Sequence, residues 1–254
     1  MSRVLILGGT TEARILAERL AERADLEVVL SIAGRTASPI RQPVPVRRGG
    51  FGGAAGLADY LTERRIDAMI DATHPYATVI SANAGAAARA SGVSFVAFRR
   101  PPWRAVGGDR WDEAADVGAA VRMLGDRPRR VFVALGRSEL APLVKAPQHF
   151  YLIRSVDPVD PPLPLPHASY VTARGPFSEA NDRALLVEHA VDIVVAKNSG
   201  GAASYGKIAA ARALGIAVIM VRRPEAPDAP GVETVEAAMA WLDHALTSAA
   251  ARGV

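Results

Sequence analysis

Short apolar runs alternate with longer Ala- and Leu-rich stretches along the first half of the chain. The runs predict strands at Arg3–Leu7, Glu27–Ser31, Val44–Arg47, Ile66–Asp71 and Val93–Phe98. The stretches between them predict helices at Thr10–Arg23, Gly53–Arg65 and Thr78–Ser91. Apolar runs without strict alternation are typical of parallel strands that are covered on both faces. The pattern therefore predicts an α/β fold with a parallel sheet.

The second half repeats this rhythm. Its apolar runs predict strands at Arg130–Leu135, Phe150–Arg154, Ser169–Ala173, Asp192–Ala196 and Ile216–Val221. Helices are predicted at Asp112–Leu124, Glu139–Val144, Ser178–Glu188, Ser204–Leu214 and Val235–Ser248. The proline-rich segment Asp157–Pro166 is predicted to be an extended loop, because proline fits neither a helix interior nor a central strand. We place the division between two domains after residue 125.

Polar loops follow corresponding strands in the two halves. Gly8 and Asp71 begin two such loops 63 positions apart, and Gly136 and Lys197 begin two more 61 positions apart. This match predicts two similar Rossmann-like domains, residues 1–125 and 126–254, with the active site in the cleft between them. Ligands of such sheets bind at the carboxyl ends of the strands, where these loops are expected to lie.

The first of these loops has the composition of an anion site. A buried strand is followed by Gly8-Gly9-Thr10-Thr11-Glu12 and then by a helix. Backbone N–H groups at a helix N-terminus bind a dinucleotide pyrophosphate in many such turns. The spacing is G-G-x-x-x-A, with Ala13 as the small residue at the helix–sheet contact, and lacks the full G-x-G-x-x-G fingerprint. An ordinary strand–helix turn is the alternative.

The end of the second strand indicates which dinucleotide would bind. An NAD site usually places an acid there, whereas this strand ends in Ser31 and is followed by Arg35. No acid occurs between Val28 and Ala58, a stretch that contains Arg35, Arg41, Arg47 and Arg48. This favours NADP over NAD. Solvent-exposed surface arginines are the alternative interpretation.

Composition and charge narrow the class of protein. The chain has 254 residues, no cysteine and a formal net charge of +4. Further arginines follow the strands, which predicts a binding site for a polyanion. Nucleic acid is the less favoured polyanion, because the basic residues are dispersed and few aromatic side chains could stack on bases. No run is long enough for a membrane span, and we expect a soluble cytoplasmic protein.

Two loops carry candidate chemistry. Lys197-Asn198-Ser199-Gly200-Gly201 combines a charged residue, an amide, a hydroxyl and two glycines, and is a second potential anion nest. A simple loop with an exposed lysine is its alternative. His74 and Tyr76 follow the fourth strand and could move a proton, although a lone histidine is more often structural. The scattered histidines indicate no metal site.

Together these loops resemble the precorrin-6A reductase family of cobalamin biosynthesis. The resemblance rests on Ile6–Ala13, Ser31–Arg35, Asp71–Ala77 and Lys197–Gly201, which occur in the right order over nearly the whole chain. It implies an NADPH-dependent oxidoreductase that transfers a hydride to one ring double bond of precorrin-6A and gives precorrin-6B. The substrate is a tetrapyrrole rich in carboxylates, which fits the arginine-rich loops.

The resemblance also gives the predicted site residues their roles. The predicted cofactor-binding residues are Gly8, Gly9, Thr10, Thr11, Glu12, Ser31, Gly34, Arg35, Asp71, Thr73, Asn198, Ser199 and Gly200. The substrate-binding residues are Arg137, Arg174, Lys197 and Gly201. The candidate proton donors are, in order, Lys197, Tyr76 and His74. Residues 1–125 would then bind NADP, and residues 126–254 would complete the substrate cleft.

Several alternatives stay open at this stage. A non-catalytic protein that senses NADP or binds a polyanion would share the same loops, and a cofactor-free tetrapyrrole enzyme would use Gly8-Gly9 as a plain turn. We expect no nucleic-acid, membrane or metal partner. The sequence leaves open a monomer or a small homo-oligomer, and transfer of the product to neighbouring enzymes of the pathway.

Overall fold

The computed structural model describes residues 1–34 and 41–252, with side chains described to residue 248. Its strands are β1 (Ser2–Leu7), β2 (Leu26–Ile32), β3 (Val46–Arg48), β4 (Ala68–Asp71), β5 (Ser94–Phe98), β6 (Trp111–Ala114), β7 (Arg130–Ala134), β8 (Phe150–Ser155), β9 (Ala168–Thr172), β10 (Ile193–Lys197), β11 (Ala217–Val221) and β12 (Gly231–Val232). Its α-helices are α1 (Thr11–Ala21), α2 (Gly53–Glu63), α3 (Thr78–Ser91), α4 (Val117–Met123), α5 (Glu179–Glu188), α6 (Gly206–Leu214) and α7 (Val235–Arg252). Short 3₁₀ helices span Arg137–Glu139 and Ala141–Lys145.

The strands form two six-stranded sheets, and every recorded strand pair is parallel. The first sheet has the order β12-β5-β4-β1-β2-β3, and the second has the order β6-β11-β10-β7-β8-β9. Both follow the doubly wound pattern, in which the strand order reverses between β1 and β4 in the first sheet and between β7 and β10 in the second. The predicted α/β class with two Rossmann-like parallel sheets is confirmed.

The first sheet takes its sixth strand from beyond the second unit, because β12 follows that unit in sequence yet pairs with β5. In the second sheet the edge strand β6 comes first in sequence and pairs with β11, the last strand of that sheet. The compact units are consequently Met1–Pro101 with Pro224–Val254, and Pro102–Arg223. The sequence-based division after residue 125 differs from this one because edge-strand pairing is a long-range contact.

The predicted helix at Asp112–Leu124 is wrong in its first third. Trp111–Ala114 is the edge strand β6, and α4 begins only at Val117. The Asp116 side chain caps this helix by accepting a hydrogen bond from the Ala119 N–H at 2.7 Å. A capped start at this point leaves residues 111–114 to pair with β11.

Alternate side chains of β1 enter the two layers that cover the first sheet. Val4 and Ile6 belong to the cluster that α1 and α7 complete, with Leu242 buried in it. Leu5 and Leu7 belong to the opposite cluster, which α2 and α3 complete. Because both faces are covered, the strand is apolar at every one of these positions.

The helices have amphipathic or moderately apolar surfaces. Within residues 1–34 and 41–252, no helix combines the length and apolarity that crossing a bilayer requires.

Replacement of Leu242 by alanine tests whether the C-terminal helix completes the first unit. Leu242 is fully buried in that unit's core, so Leu242→Ala is expected to lower the free energy of unfolding by about 2–5 kcal/mol. Urea denaturation measures the loss, and hydrogen exchange should quicken in β1 more than in β7. The control Val187→Ala, at a residue that is 60% exposed, should cost less than about 0.5 kcal/mol. Faster exchange in β7 alone would contradict the assignment.

Candidate functional site

The turn after β1 packs too closely to accept a side chain at Gly8. A Cβ there would lie 2.5 Å from Leu30 Cδ1 and 3.2 Å from Ala13 Cβ. Ala13 is itself fully buried, as the sequence predicts for the small residue at the helix–sheet contact. Gly9 has φ +114°, a left-handed conformation that favours glycine. The two glycines therefore bring bare backbone to the start of α1.

Thr10 connects this turn to the neighbouring strand. Its Oγ1 accepts a hydrogen bond from the Ala13 N–H at 3.1 Å and donates one to the Ala72 carbonyl at 2.8 Å. The cap satisfies one N–H of the first helical turn, and the N–H groups before it have no carbonyl one turn earlier in the helix. The bond to Ala72 fixes the turn where the strand order reverses between β1 and β4. This arrangement has the features of a pyrophosphate site.

The carboxylate of Glu12 is engaged within the first unit. It forms an ion pair with Arg100, and the two side chains are only 18% and 14% exposed. Thr11, the first residue of α1, is exposed. The ion pair offsets the negative charge that Glu12 would bring to an anion site. The sequence shows both residues but gives no sign of their pairing, since 88 positions separate them.

The end of β2 contains two of the three predicted phosphate readers. Ser31 is buried, and its carbonyl accepts a hydrogen bond from the Gly8 N–H at 2.8 Å. Gly34 has φ +71°, which lets the chain turn immediately after the strand. Arg35 lies outside the described residues. Arg47 of the same acid-free stretch donates to the carbonyls of Gly49 and Gly50, and so maintains the loop.

The loop after β4 is held by its own side chains. Asp71 Oδ1 accepts hydrogen bonds from the Thr73 N–H at 3.1 Å and the Thr73 hydroxyl at 2.6 Å. His74 Nδ1 accepts the Tyr76 N–H at 3.3 Å, and the two rings lie 5.5 Å apart. Asp71 and Thr73 thus shape the loop, while the half-buried rings of His74 and Tyr76 lie beyond the carboxyl end of the strand.

Lys197 and Glu139 form an ion pair at the corresponding reversal in the second unit. Lys197 Nζ lies 2.8 Å from Glu139 Oε1 and 2.6 Å from Oε2, and the lysine side chain is 12% exposed. Glu139 Oε2 also accepts the Gly136 N–H at 3.2 Å. The pair joins the loops after β7 and β10. Sequence reasoning identified Lys197 but missed Glu139.

The rest of the loop after β10 is hydrogen-bonded to Trp103. Asn198 Oδ1 accepts the Trp103 N–H at 2.8 Å, and Asn198 Nδ2 donates to the Trp103 carbonyl at 2.9 Å. The indole N–H of Trp103 donates to the Gly201 carbonyl at 2.9 Å. Ser199 N–H bonds back to the Lys197 carbonyl at 2.8 Å, and Gly200 has φ +65°. Asn198 therefore has a structural task that the sequence does not reveal.

The arginines that follow the strands of the second unit do not share one environment. Arg137 and Arg174 are exposed, and Arg174 lies 3.9 Å from a carboxylate oxygen of Asp157. Arg154 is buried in an ion pair with Asp182 and stacks on the Phe177 ring, so it is withdrawn from solvent. Arg137 and Arg174 come after their strands and face solvent, whereas Arg154 lies within β8 and is buried.

Lys207 is a buried cation that sequence reasoning missed. Its Nζ donates to the Ser204 carbonyl at 2.6 Å and lies 4.9 Å from the centre of the Trp103 ring. Burial lowers the pKa of Lys207 to about 7; nearby Arg154 lowers it further, whereas Asp182 raises it. Lys207 is the second residue of α6, and Ser204 belongs to the loop that starts with Lys197.

Metal-binding side chains do not gather anywhere in the described part of the chain. Among residues 1–34 and 41–252, no three His, Cys, Asp or Glu side chains lie close enough together to hold a metal ion.

The fold and the turn after β1 define a Rossmann-like protein of two units, with a glycine turn at a helix N-terminus in the first. Particular relatives refine this class. The family model described as precorrin-6x reductase CbiJ/CobK matches residues 3–243. The chain therefore belongs to the CbiJ/CobK precorrin-6x reductase family, as its loops predict.

Individual relatives agree over almost the full chain. A protein of Sinorhizobium sp named precorrin-6A reductase is 54% identical, with 97% of this chain and 95% of that protein covered. One of Rhodobacter capsulatus with the same name is 51% identical, over 97% of this chain and 98% of its own. The solved structure named CobK precorrin-6A reductase matches with a TM-score of 0.93 at 51% identity, covering 96% and 97% of the two chains. The non-catalytic alternative gains no support.

The buried amine of Lys207 makes a testable prediction about pH. Its folded pKa of about 7 lies below the ordinary value of 10.5, so the unfolded chain binds more protons between these values. The free energy of unfolding should therefore rise with pH, on the order of 2 kcal/mol from about pH 7 to about pH 9. Lys207→Met should remove this rise, as measured by urea denaturation at both pH values.

Lys145→Met is the matched control, because Lys145 is exposed on the short 3₁₀ helix Ala141–Lys145. It should leave the pH dependence of the wild-type chain unchanged. An equal pH slope in wild type and Lys207→Met would show that Lys207 keeps an ordinary pKa.

Proposed function

We propose that this chain catalyses the NADPH-dependent reduction of precorrin-6A to precorrin-6B in cobalamin biosynthesis. The observation that carries the proposal is the match along almost the entire chain to relatives named precorrin-6A reductase. The turn at Gly8–Thr10 supports it independently, because it supplies the bare backbone and the helix N-terminus that a dinucleotide needs.

The first unit is proposed to bind the cofactor. Backbone N–H groups from Gly9 to Glu12 would hold its pyrophosphate, and Thr10 keeps them in place through its two hydrogen bonds. Ser31, Gly34 and Arg35 would bind the 2′-phosphate of NADPH. The end of this strand carries no acidic residue that would repel the phosphate. The Glu12–Arg100 pair keeps the glutamate carboxylate occupied, which limits its repulsion of a bound phosphate.

The chemistry divides between cofactor and protein. When bound, NADPH supplies a hydride, and a proton completes the addition of two hydrogens across one ring double bond of the macrocycle. The protein is proposed to orient the two reactants and to hold the proton. Lys197 is the first candidate donor, and Tyr76 and His74 follow it.

Glu139 is proposed as a positioning residue for Lys197. Its two carboxylate oxygens lie within hydrogen-bond distance of the lysine Nζ, and this fixes where the ammonium protons point. Arg137, Arg174 and the Gly201 loop are proposed to bind carboxylates of the substrate.

The direct test is oxidation of NADPH by the purified chain, followed at the nicotinamide absorbance with precorrin-6A as acceptor. The expected result is oxidation only when both are present, with the product two hydrogens heavier by mass spectrometry. Binding of NADPH without oxidation in the presence of precorrin-6A would refute the proposed function.

The cofactor preference has its own test in Arg35→Ala. Loss of one arginine contact to the 2′-phosphate should weaken NADPH by about tenfold or more and NADH hardly at all. Fluorescence titration measures both dissociation constants, and the exposed Arg41 supplies the control Arg41→Ala. Equal losses for NADPH and NADH would mean that Arg35 is not the phosphate reader.

The Lys197–Glu139 pair predicts a loss of kcat with cofactor binding intact. Lys197→Met should lower kcat by about 10²-fold, and Glu139→Gln, which removes the charge, should lower it less and shift the pH profile. The NADPH dissociation constant should stay at the wild-type value. The control is Glu188→Gln, at an exposed glutamate that ends α5. An unchanged kcat in Lys197→Met would transfer the proton role to Tyr76 or His74.

A further inference from the structure

The second unit contains an open pocket of about 480 Å³ whose lining includes only one of the predicted site residues, Gly201. Three aromatic side chains line it, from Trp103, Phe177 and Tyr205. Small residues, among them Gly201 and Ala209, leave space between these rings. The volume falls in the range of about 300–1,000 Å³ that small-molecule sites occupy.

The pocket lies where doubly wound sheets bind ligands. Phe177 belongs to the loop after β9, and Gly201 and Tyr205 belong to the loop after β10. Both loops leave the carboxyl ends of their strands, the usual position of ligand sites in such sheets. The loop after β10 starts with Lys197, so the pocket and the Lys197–Glu139 pair share one segment of chain.

The walls of the pocket are fixed before any ligand arrives. Trp103 is held at its backbone by Asn198 and at its indole N–H by the Gly201 carbonyl. The Tyr205 ring packs edge-on against it, with ring centres 5.5 Å apart. A Cβ on Gly206 would lie 2.7 Å from the Phe177 carbonyl, so α6 begins in direct contact with the Phe177 segment. Such fixed walls lower the entropic cost of binding.

Two buried basic side chains lie close to the aromatic walls. The amine of Lys207 lies 4.9 Å from the centre of the Trp103 ring, and the guanidinium of Arg154, which is paired with Asp182, lies 3.7 Å from that of Phe177. A cation over one ring face offsets the negative potential of the π system. The exposed Arg104 adds a positive charge at the rim, and Glu179 contributes a carboxylate there. The pocket thus suits a flat ring whose carboxylate lies on the Arg104 side.

We propose that this pocket is a substrate subsite that binds one carboxylate-bearing pyrrole ring of the macrocycle. The ring packs among Trp103, Phe177 and Tyr205, and its carboxylate pairs with Arg104. This rests on the proposed function, since a tetrapyrrole is the ligand. Substrate recognition then reaches beyond the exposed arginines Arg137 and Arg174.

Two pairs of variants test the subsite. Ala209→Leu fills the pocket, whereas Ala213→Leu adds the same side chain one turn later on α6, at an exposed position outside the lining. Arg104→Gln removes the rim charge, whereas Arg127→Gln removes an exposed charge before β7, at the amino end of that strand. Thermal denaturation of each variant confirms folding, and Arg104→Gln alters only an exposed side chain.

The measurements are steady-state kinetics with varied precorrin-6A and fluorescence titration with NADPH. Ala209→Leu and Arg104→Gln should each raise the KM for precorrin-6A by about tenfold, with kcat within about twofold of wild type and NADPH binding unchanged. Both controls should behave as wild type.

An unchanged KM in Arg104→Gln and in folded Ala209→Leu would overturn the subsite, as would equal increases in the controls. Failure of the proposed function looks different, because the wild-type chain itself would then not oxidise NADPH with precorrin-6A.

Discussion

The reversal of strand order beside β1 is the constraint on which the first unit depends. Parallel strands on either side of this point send their following helices to opposite faces of the sheet, and a crevice opens between the two turns. The Thr10 hydroxyl joins those turns through the Ala72 carbonyl, at 2.8 Å. Gly8 also keeps the turn close to the sheet, because its backbone packs directly against the Leu30 side chain. The crevice that is proposed to bind the cofactor is therefore a consequence of topology, completed by one cap and one missing side chain.

The second unit repeats the reversal with different chemistry. The loops beside β7 and β10 are joined by the Lys197–Glu139 ion pair, where the first unit uses a neutral hydroxyl. Asn198 then holds the backbone of Trp103, a residue from the segment that precedes β6. A charged pair and an aromatic wall suit acid–base work and ring binding better than pyrophosphate binding. In the proposed function, two sheets of similar topology thus serve different reactants.

The sequence predicts whatever depends on local pattern. Both five-strand rhythms and the loops at Gly8 and Lys197 follow from apolar periodicity and glycine placement. The sequence pattern did not predict β6 and β12, because each strand is short and is stabilised by a parallel partner that is distant in sequence. The partner of Lys197 and the burial of Lys207 escaped for the same reason, since ion pairs and desolvation depend on three-dimensional packing. Local sequence patterns therefore predict the helices and the central strands. The edge strands, the ion pairs and the buried charged groups depend on long-range contacts.

The number of arginines alone does not indicate how many of them could bind an anionic ligand. Arg47, Arg99 and Arg154 bind carbonyls or a carboxylate of the protein itself. Their guanidinium groups stabilise loops and a buried core, because planar multidentate donors satisfy several acceptors at once. Other arginines, such as Arg104 and Arg137, face solvent. In the proposed function, a carboxylate-rich substrate pairs with solvent-facing arginines at defined positions, and aromatic packing supplies the remaining selectivity.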